Sequence, residues 1–178
     1  MLGGNDTANK SSATSETPAA ANESTPTTDA PKSTEAPKTT DKSNGAAKMN
    51  QAVRDGKFEF VVTGVESGLA SVGDNPYLTE KAQGAFTVVT VSVKNIDKKS
   101  QGFTPSSQKL IDNSDRTHES DAMAAIALGG AEIPIWDKIN PGNKVTVKLV
   151  FDIPKGAVPT TLELHDSMFS SGVKVALK

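Results

Sequence analysis

The sequence predicts an all-β chain, an immunoglobulin-like antiparallel β-sandwich preceded by a disordered N-terminal arm. Three observations predict it. Apolar residues recur at every second position in successive segments from Phe58 to the C-terminus, the period of strands with one face in a core. Clusters of Asn, Asp, Gly and Pro separate those segments at short intervals, as antiparallel sheets require. Before Met49 the composition changes abruptly, and branched aliphatic and aromatic side chains almost vanish.

The arm comes first. From Asn5 to about Lys48 the chain is built mainly from Ser, Thr, Pro, Ala, Lys, Asp and Glu, as in Thr34-Glu35-Ala36-Pro37-Lys38-Thr39-Thr40. Such a stretch cannot bury enough apolar surface to offset the entropy of ordering. It reads as a spacer over residues 1–48, and a coil of about 45 residues has a mean reach of roughly 35–40 Å. Ser/Thr/Pro-rich stalks are also common sites of O-glycosylation. The plainer reading is an inter-domain linker. Met1 to Lys10 lacks the basic stretch and apolar run of a signal peptide. The expectation is therefore a cytoplasmic protein, or an exported one whose signal is absent here.

The sandwich is expected over residues 49–178. Phe58, Phe60 and Val62 alternate with Glu59, Val61 and Thr63. Thr87, Val89, Val91 and Val93 alternate with Val88, Thr90, Ser92 and Lys94. Val145, Val147, Leu149, Phe151 and Ile153 alternate with Thr146, Lys148, Val150 and Asp152. Leu162 and Leu164 make a short run, and Val173, Val175 and Leu177 close the chain. The core is expected to hold Phe60, Val89, Val91, Val147, Leu149, Phe151, Leu164 and Val175. A one-residue slip would turn all of them outward. Asp121 to Leu128 reads either as a short helix ending at Gly129-Gly130 or as a loop over one end of the sandwich.

These residues carry a resemblance. The order is Phe58-Glu59-Phe60-Val61-Val62, then Gly84-Ala85-Phe86 through Val93-Lys94-Asn95, then Lys109-Leu110-Ile111-Asp112-Asn113. Ile139-Asn140-Pro141-Gly142 follows, running into Val150-Phe151-Asp152-Ile153-Pro154-Lys155-Gly156. This resembles the telokin-like uncharacterised domain family of Gram-positive bacterial and phage lipoproteins, which is similar in fold to a secreted immunoprotective antigen of mycobacteria. The resemblance implies a sandwich, export, display at the cell surface and a lipid anchor upstream. It supplies no catalytic residues.

Composition excludes several classes of function. Net charge is -2 with basic and acidic residues interspersed, which gives no basic face for nucleic acid. No cysteine is present, so disulfides and thiolate chemistry are out. Neither histidine, His118 nor His165, stands in a nucleophile motif, and no phosphate loop is present. No enzyme and no cofactor are expected.

Two metal sets merit naming. Asp112-Asn113-Ser114-Asp115 with Glu119 and Asp121 offers oxygen ligands for calcium, although hairpin-turn chemistry explains the same residues. His118, Met123, His165 and Met168 are soft donors suited to copper(I), with His165 expected on the outward phase of its strand and Met123 in a local apolar patch. Loops at one end of a sandwich are the usual binding surface. There Leu69, Tyr77, Met123, Ile126 and Leu128, with Trp136 as an edge anchor, are the candidates for contact with another envelope protein. The plainer fate of these apolar residues is packing, and for Trp136 a core position. The expected partner is a protein, with the membrane met only through the anchor. A phage-encoded member could use that contact to exclude related phages.

Overall fold

The computed structural model describes residues 45–73, 77–129 and 138–178. The expected arm lies outside these residues up to position 44, and Trp136 lies outside them as well.

The architecture is an immunoglobulin-like β-sandwich. One sheet has the order β2-β3-β4-β9, from Ala52–Asp55, Phe58–Val72, Glu80–Asn95 and Lys144–Ile153. The facing sheet has the order β1-β11-β10-β6-β7, from Ala47–Lys48, Val173–Ala176, Pro159–Leu164, Lys109–Asp112 and Thr117–Glu119. A small ribbon joins β5 (Gln101–Gly102) to β8 (Lys138–Ile139). Pairing is antiparallel except at one edge, where β1 runs parallel to β11 through Ala47↔Val175 and Lys48↔Ala176. Among the described residues, strand structure is thus already present at Ala47, ahead of the composition boundary at Met49, because backbone pairing does not depend on an apolar side chain.

The phase follows the alternation. All eight expected core residues are buried, with Val91 and Leu149 at 0% exposure. Phe58, Phe60 and Phe103 form an aromatic cluster with centroids 5.9–6.1 Å apart, each ring contributing about 2–3 kcal/mol by burial. The outward phase holds less well. Phe86 to Val89 is buried on both faces, and Val88 and Val150, on the solvent phase of the pattern, are buried too. The reason is α1 (Ala122–Leu128), which packs on the outer face of the β3-β4-β9 sheet. Ala124 joins Val72, Phe86, Val88 and Val150 in a second small core there.

The ambiguous segment is thus a helix, and it covers a sheet face, not an end. Asp121 caps it by accepting from Ala124 N at 2.9 Å, and Gly129 closes it in the left-handed region at φ 63°.

The residues that carry the family resemblance prove to be ties between strands. The buried Asn95 donates through Nδ2 to Lys99 O and Ile139 O, both at 2.7 Å, and accepts from Asp97 N at 2.8 Å. Its backbone exchanges bonds with the Asn140–Asn143 turn. Asp152 accepts from Gln83 N at 2.6 Å and Gly84 N at 3.0 Å, which pins the ends of β4 and β9 together.

Candidate functional site

The β3–β4 hairpin is the longest element, paired from Phe58↔Asn95 out to Val72↔Glu80 with bulges at Val62/Gly64, Ser67/Leu69 and Leu69/Ser71. Its far end abuts the C-terminal half of α1. At Gly73, an added Cβ would stand 3.1 Å from Ala127 O and would strike Leu78 O. Three of the six residues proposed for protein contact lie on the hairpin end and α1 and face solvent. Tyr77 is 93% exposed, Met123 63% and Ile126 44%, with Leu78 exposed beside them. Met123 is thus a solvent-facing residue, because α1 turns Ala124 to the sheet and Met123 away from it.

Leu69 and Leu128 go elsewhere. Both pack against the second core and line a groove of about 290 Å³ with Gly64, Val65, Val88 and Lys148. The surface is therefore an apolar rim beside a shallow groove. Sequence periodicity missed Leu78, which follows Tyr77; an apolar residue next to the Pro-Tyr dipeptide was the available signal.

A second feature lies on the same side. The Asp112 side chain is buried at the hairpin between β6 and β7, where its carboxylate accepts from Ser114 N at 2.8 Å, Arg116 N at 3.1 Å and Arg116 Nε at 2.8 Å. His118 Nε2 lies 3.0 Å from the same carboxylate. Burial pushes the Asp112 carboxyl up, but the hydrogen bonds from His118, Ser114 and Arg116 together outweigh it and hold the group far below the usual carboxylate range. His118 also borders a cleft of about 490 Å³ with Gln83, Gly84, Asp152, Ile153, Pro154 and Lys155. A buried acid orienting a histidine resembles part of a hydrolytic triad, yet among the described residues no hydroxyl or thiol side chain lines this cleft.

Three of the oxygen ligands proposed for calcium are engaged elsewhere, among them Asn113, which accepts from Val158 N at 3.0 Å. Asp112 is saturated by its own neighbours and Asp121 caps α1. The soft donors are dispersed. His118 lies opposite Leu110, itself opposite Leu162, and His165 is three residues further along. Two strand spacings and three residues of rise place the histidines on the order of 14 Å apart. Met123 sits on α1 over the other sheet, and Met168 is in the turn after β10. Among the described residues no group of three or more His, Asp or Glu is arranged to hold a metal. His165 is also buried and not outward. It stands past the end of β10, where the alternation no longer applies, and Gln108 grips its backbone at 2.8 and 3.1 Å.

The depressed Asp112 carboxyl has a pH consequence. Its stabilisation is complete above the ordinary carboxylate range and is lost as pH falls through and below about 4. Asp112→Asn should therefore melt lower than the parent at neutral pH and lose less stability on acidification. Melting curves from neutral to strongly acidic pH check this; parallel acid limbs would refute it.

Among the described residues, no helix is long and apolar enough to cross a membrane. No curated protein matches the chain. Solved structures do. The yjhA protein of Bacillus subtilis is 19% identical with a TM-score of 0.55, covering 74% of this chain and 99% of that one. The secreted protein MPT63 of Mycobacterium tuberculosis is 15% identical with a TM-score of 0.52, covering 76% of this chain and 99% of that one. Likenesses at this identity establish the fold. The stretch from Ala47 in β1 to Val175 in β11, residues 47–175, matches a family described as a domain of unknown function, DUF4352, and the chain belongs to that family.

Proposed function

We propose that this domain is a non-enzymatic recognition module, displayed outside the cell on its Ser/Thr/Pro/Ala-rich arm and binding another protein of the envelope. The observation that carries the reading is the apolar rim at the β3–β4 tip and α1, where Tyr77, Leu78, Met123 and Ile126 face solvent. Large apolar side chains grouped on a surface are the usual mark of a contact site. The arm has the composition of a spacer, and an upstream lipid anchor would give it something to space from. A secreted protein among the structural neighbours is consistent with display outside the cell.

The test is a photo-crosslinker at position 126 in cells that carry the full chain. A discrete protein adduct is expected. Met123→Glu in that chain, an exposed substitution that should leave the fold intact, is expected to reduce it about tenfold. Deleting residues 5–44, which spares β1, should reduce it as well. An adduct indifferent to Met123→Glu would overturn the contact, and turnover of a substrate by the purified domain would overturn the non-enzymatic reading.

A further inference from the structure

A separate surface lies at the opposite end of the sandwich, where three turns meet. Ile96 N donates to Lys57 O at 2.9 Å and Lys57 N to Asp166 Oδ2 at 3.3 Å, which joins the turn after β2, the turn after β4 and the turn after β10. The last of these presents Met168 at 76% and Phe169 at 90% exposure, and Ile96 is exposed beside them. That turn is held firmly. Ser170 donates to Ser167 O through both N and Oγ at 3.1 Å, and His165 Nδ1 lies 3.2 Å from Ser170 O. Underneath, His165 Nε2 meets Glu163 at 2.8 Å, and Gly172 leaves the imidazole the space that a Cβ would occupy. The backbone that presents these two exposed apolar side chains is thus tied down on both sides.

The charges around them are sorted. Lys98, Lys99 and Lys138 are exposed, while among the described residues Asp55, Asp97 and Asp166 are engaged within the turns of this end. Asp55 accepts from Asp166 N, Asp166 pairs with Lys57, and Asp97 takes Lys98 N and the Gln101 amide. Lys94 and Lys144 stand directly across from each other on β4 and β9, a like-charge pair that costs stability unless an anion lies nearby. Glu59, opposite Lys94 on β3, offsets only part of it. The route of the chain points the same way. Because β1 runs parallel to β11, which leaves from the Met168–Phe169 turn, Gly45 and Ala46 enter β1 from this end.

We infer that this end docks on an anionic lipid bilayer, with Met168 and Phe169 entering the interfacial layer and Lys98, Lys99 and Lys138 meeting headgroup phosphates. Exposed apolar tips ringed by basic residues bind in this way, the apolar part by burial and the lysines by attraction to the anionic surface. This surface is distinct from the β3–β4 rim, so either inference can fail without the other. It goes beyond the expectation that only an upstream anchor meets the membrane.

The chain has no cysteine, so Ser171→Cys can carry an environment-sensitive dye beside the tip. With the full chain, the dye should brighten and shift to the blue on phosphatidylcholine vesicles containing phosphatidylglycerol, and stay unchanged on phosphatidylcholine alone. Phe169→Ser and the pair Lys98→Glu/Lys99→Glu should each weaken binding on the order of tenfold without lowering the melting temperature, and added salt should weaken it further. Met123→Glu should leave it unchanged. A dye silent on anionic vesicles, or a response indifferent to Phe169→Ser, overturns the assignment. So does a signal seen only with envelope membranes and lost when their proteins are removed by protease, which would mean a protein takes the tip.

Discussion

Gly84→Ala is expected to destabilise the domain by about 3 kcal/mol, lowering its melting temperature by roughly 10 °C. The added methyl would run into the Ile153 carbonyl oxygen and stand 3.0 Å from Pro154 Cα. Both are backbone atoms, one of the last residue of β9 and one of the residue after it, so no side chain can turn aside. The collision falls where Asp152 ties Gln83 and Gly84 to β9, next to the Ala85↔Ile153 pair. Relief requires β4 and β9 to separate at that corner. Gly102→Ala is the matched control, since nothing lies within 4 Å of its Cβ, and it should stay within about 0.5 kcal/mol of the parent. Denaturant midpoints measured side by side decide the matter. Equal midpoints for the two variants would mean that the corner relaxes and the close approach is not required.

Asn95→Ala should cost a similar amount, about 3 kcal/mol. It removes a side chain that serves two carbonyls and one N–H in a buried setting, leaving Ile139 O without its donor. Asn95→Asp sharpens the test. A carboxylate at this position keeps the acceptor for Asp97 N but faces the Lys99 and Ile139 carbonyl oxygens with negative charge. Its folded pKa would be raised, so the variant should be least stable at neutral pH and regain stability on acidification, as the protonated acid donates again. That trend opposes the one expected of the parent through Asp112. An Asn95→Asp domain as stable as the parent at neutral pH would show that the bonds to Lys99 and Ile139 contribute little.

The two substitutions bear on how the family pattern should be understood. Asn95, the Asn140-Pro141-Gly142 turn and Asp152 are among the residues that carry the family resemblance, and all of them hold strands together. The residues placed for recognition, Met123, Ile126, Leu78 and Phe169, carry no distinctive motif. A fold-level signature and a ligand-level signature are separate here, which accords with function residing in surfaces built on a common scaffold.

What the amino-acid order determined by itself was the sandwich and its inward phase. Period-two alternation is a local property, so Phe60, Val91, Leu149 and Val175 could be assigned to the core without knowing their neighbours. The turns at Asn140–Asn143 and Asp112–Asp115 were legible for the same reason, since Asn, Asp and Gly act on their own backbone. Tertiary structure decided everything that depends on what lies across from a residue. Val88 and Val150 are buried only because α1 covers them, and His165 is enclosed because Gln108 and Ser170 reach it from other segments. Leu69 packs while Met123 faces water, and the parallel pairing of β1 brings the chain in beside Phe169. None of these is encoded in a spacing, because contacts between distant segments follow from how sheets, helix and turns stack, and stacking is settled only when the whole core closes.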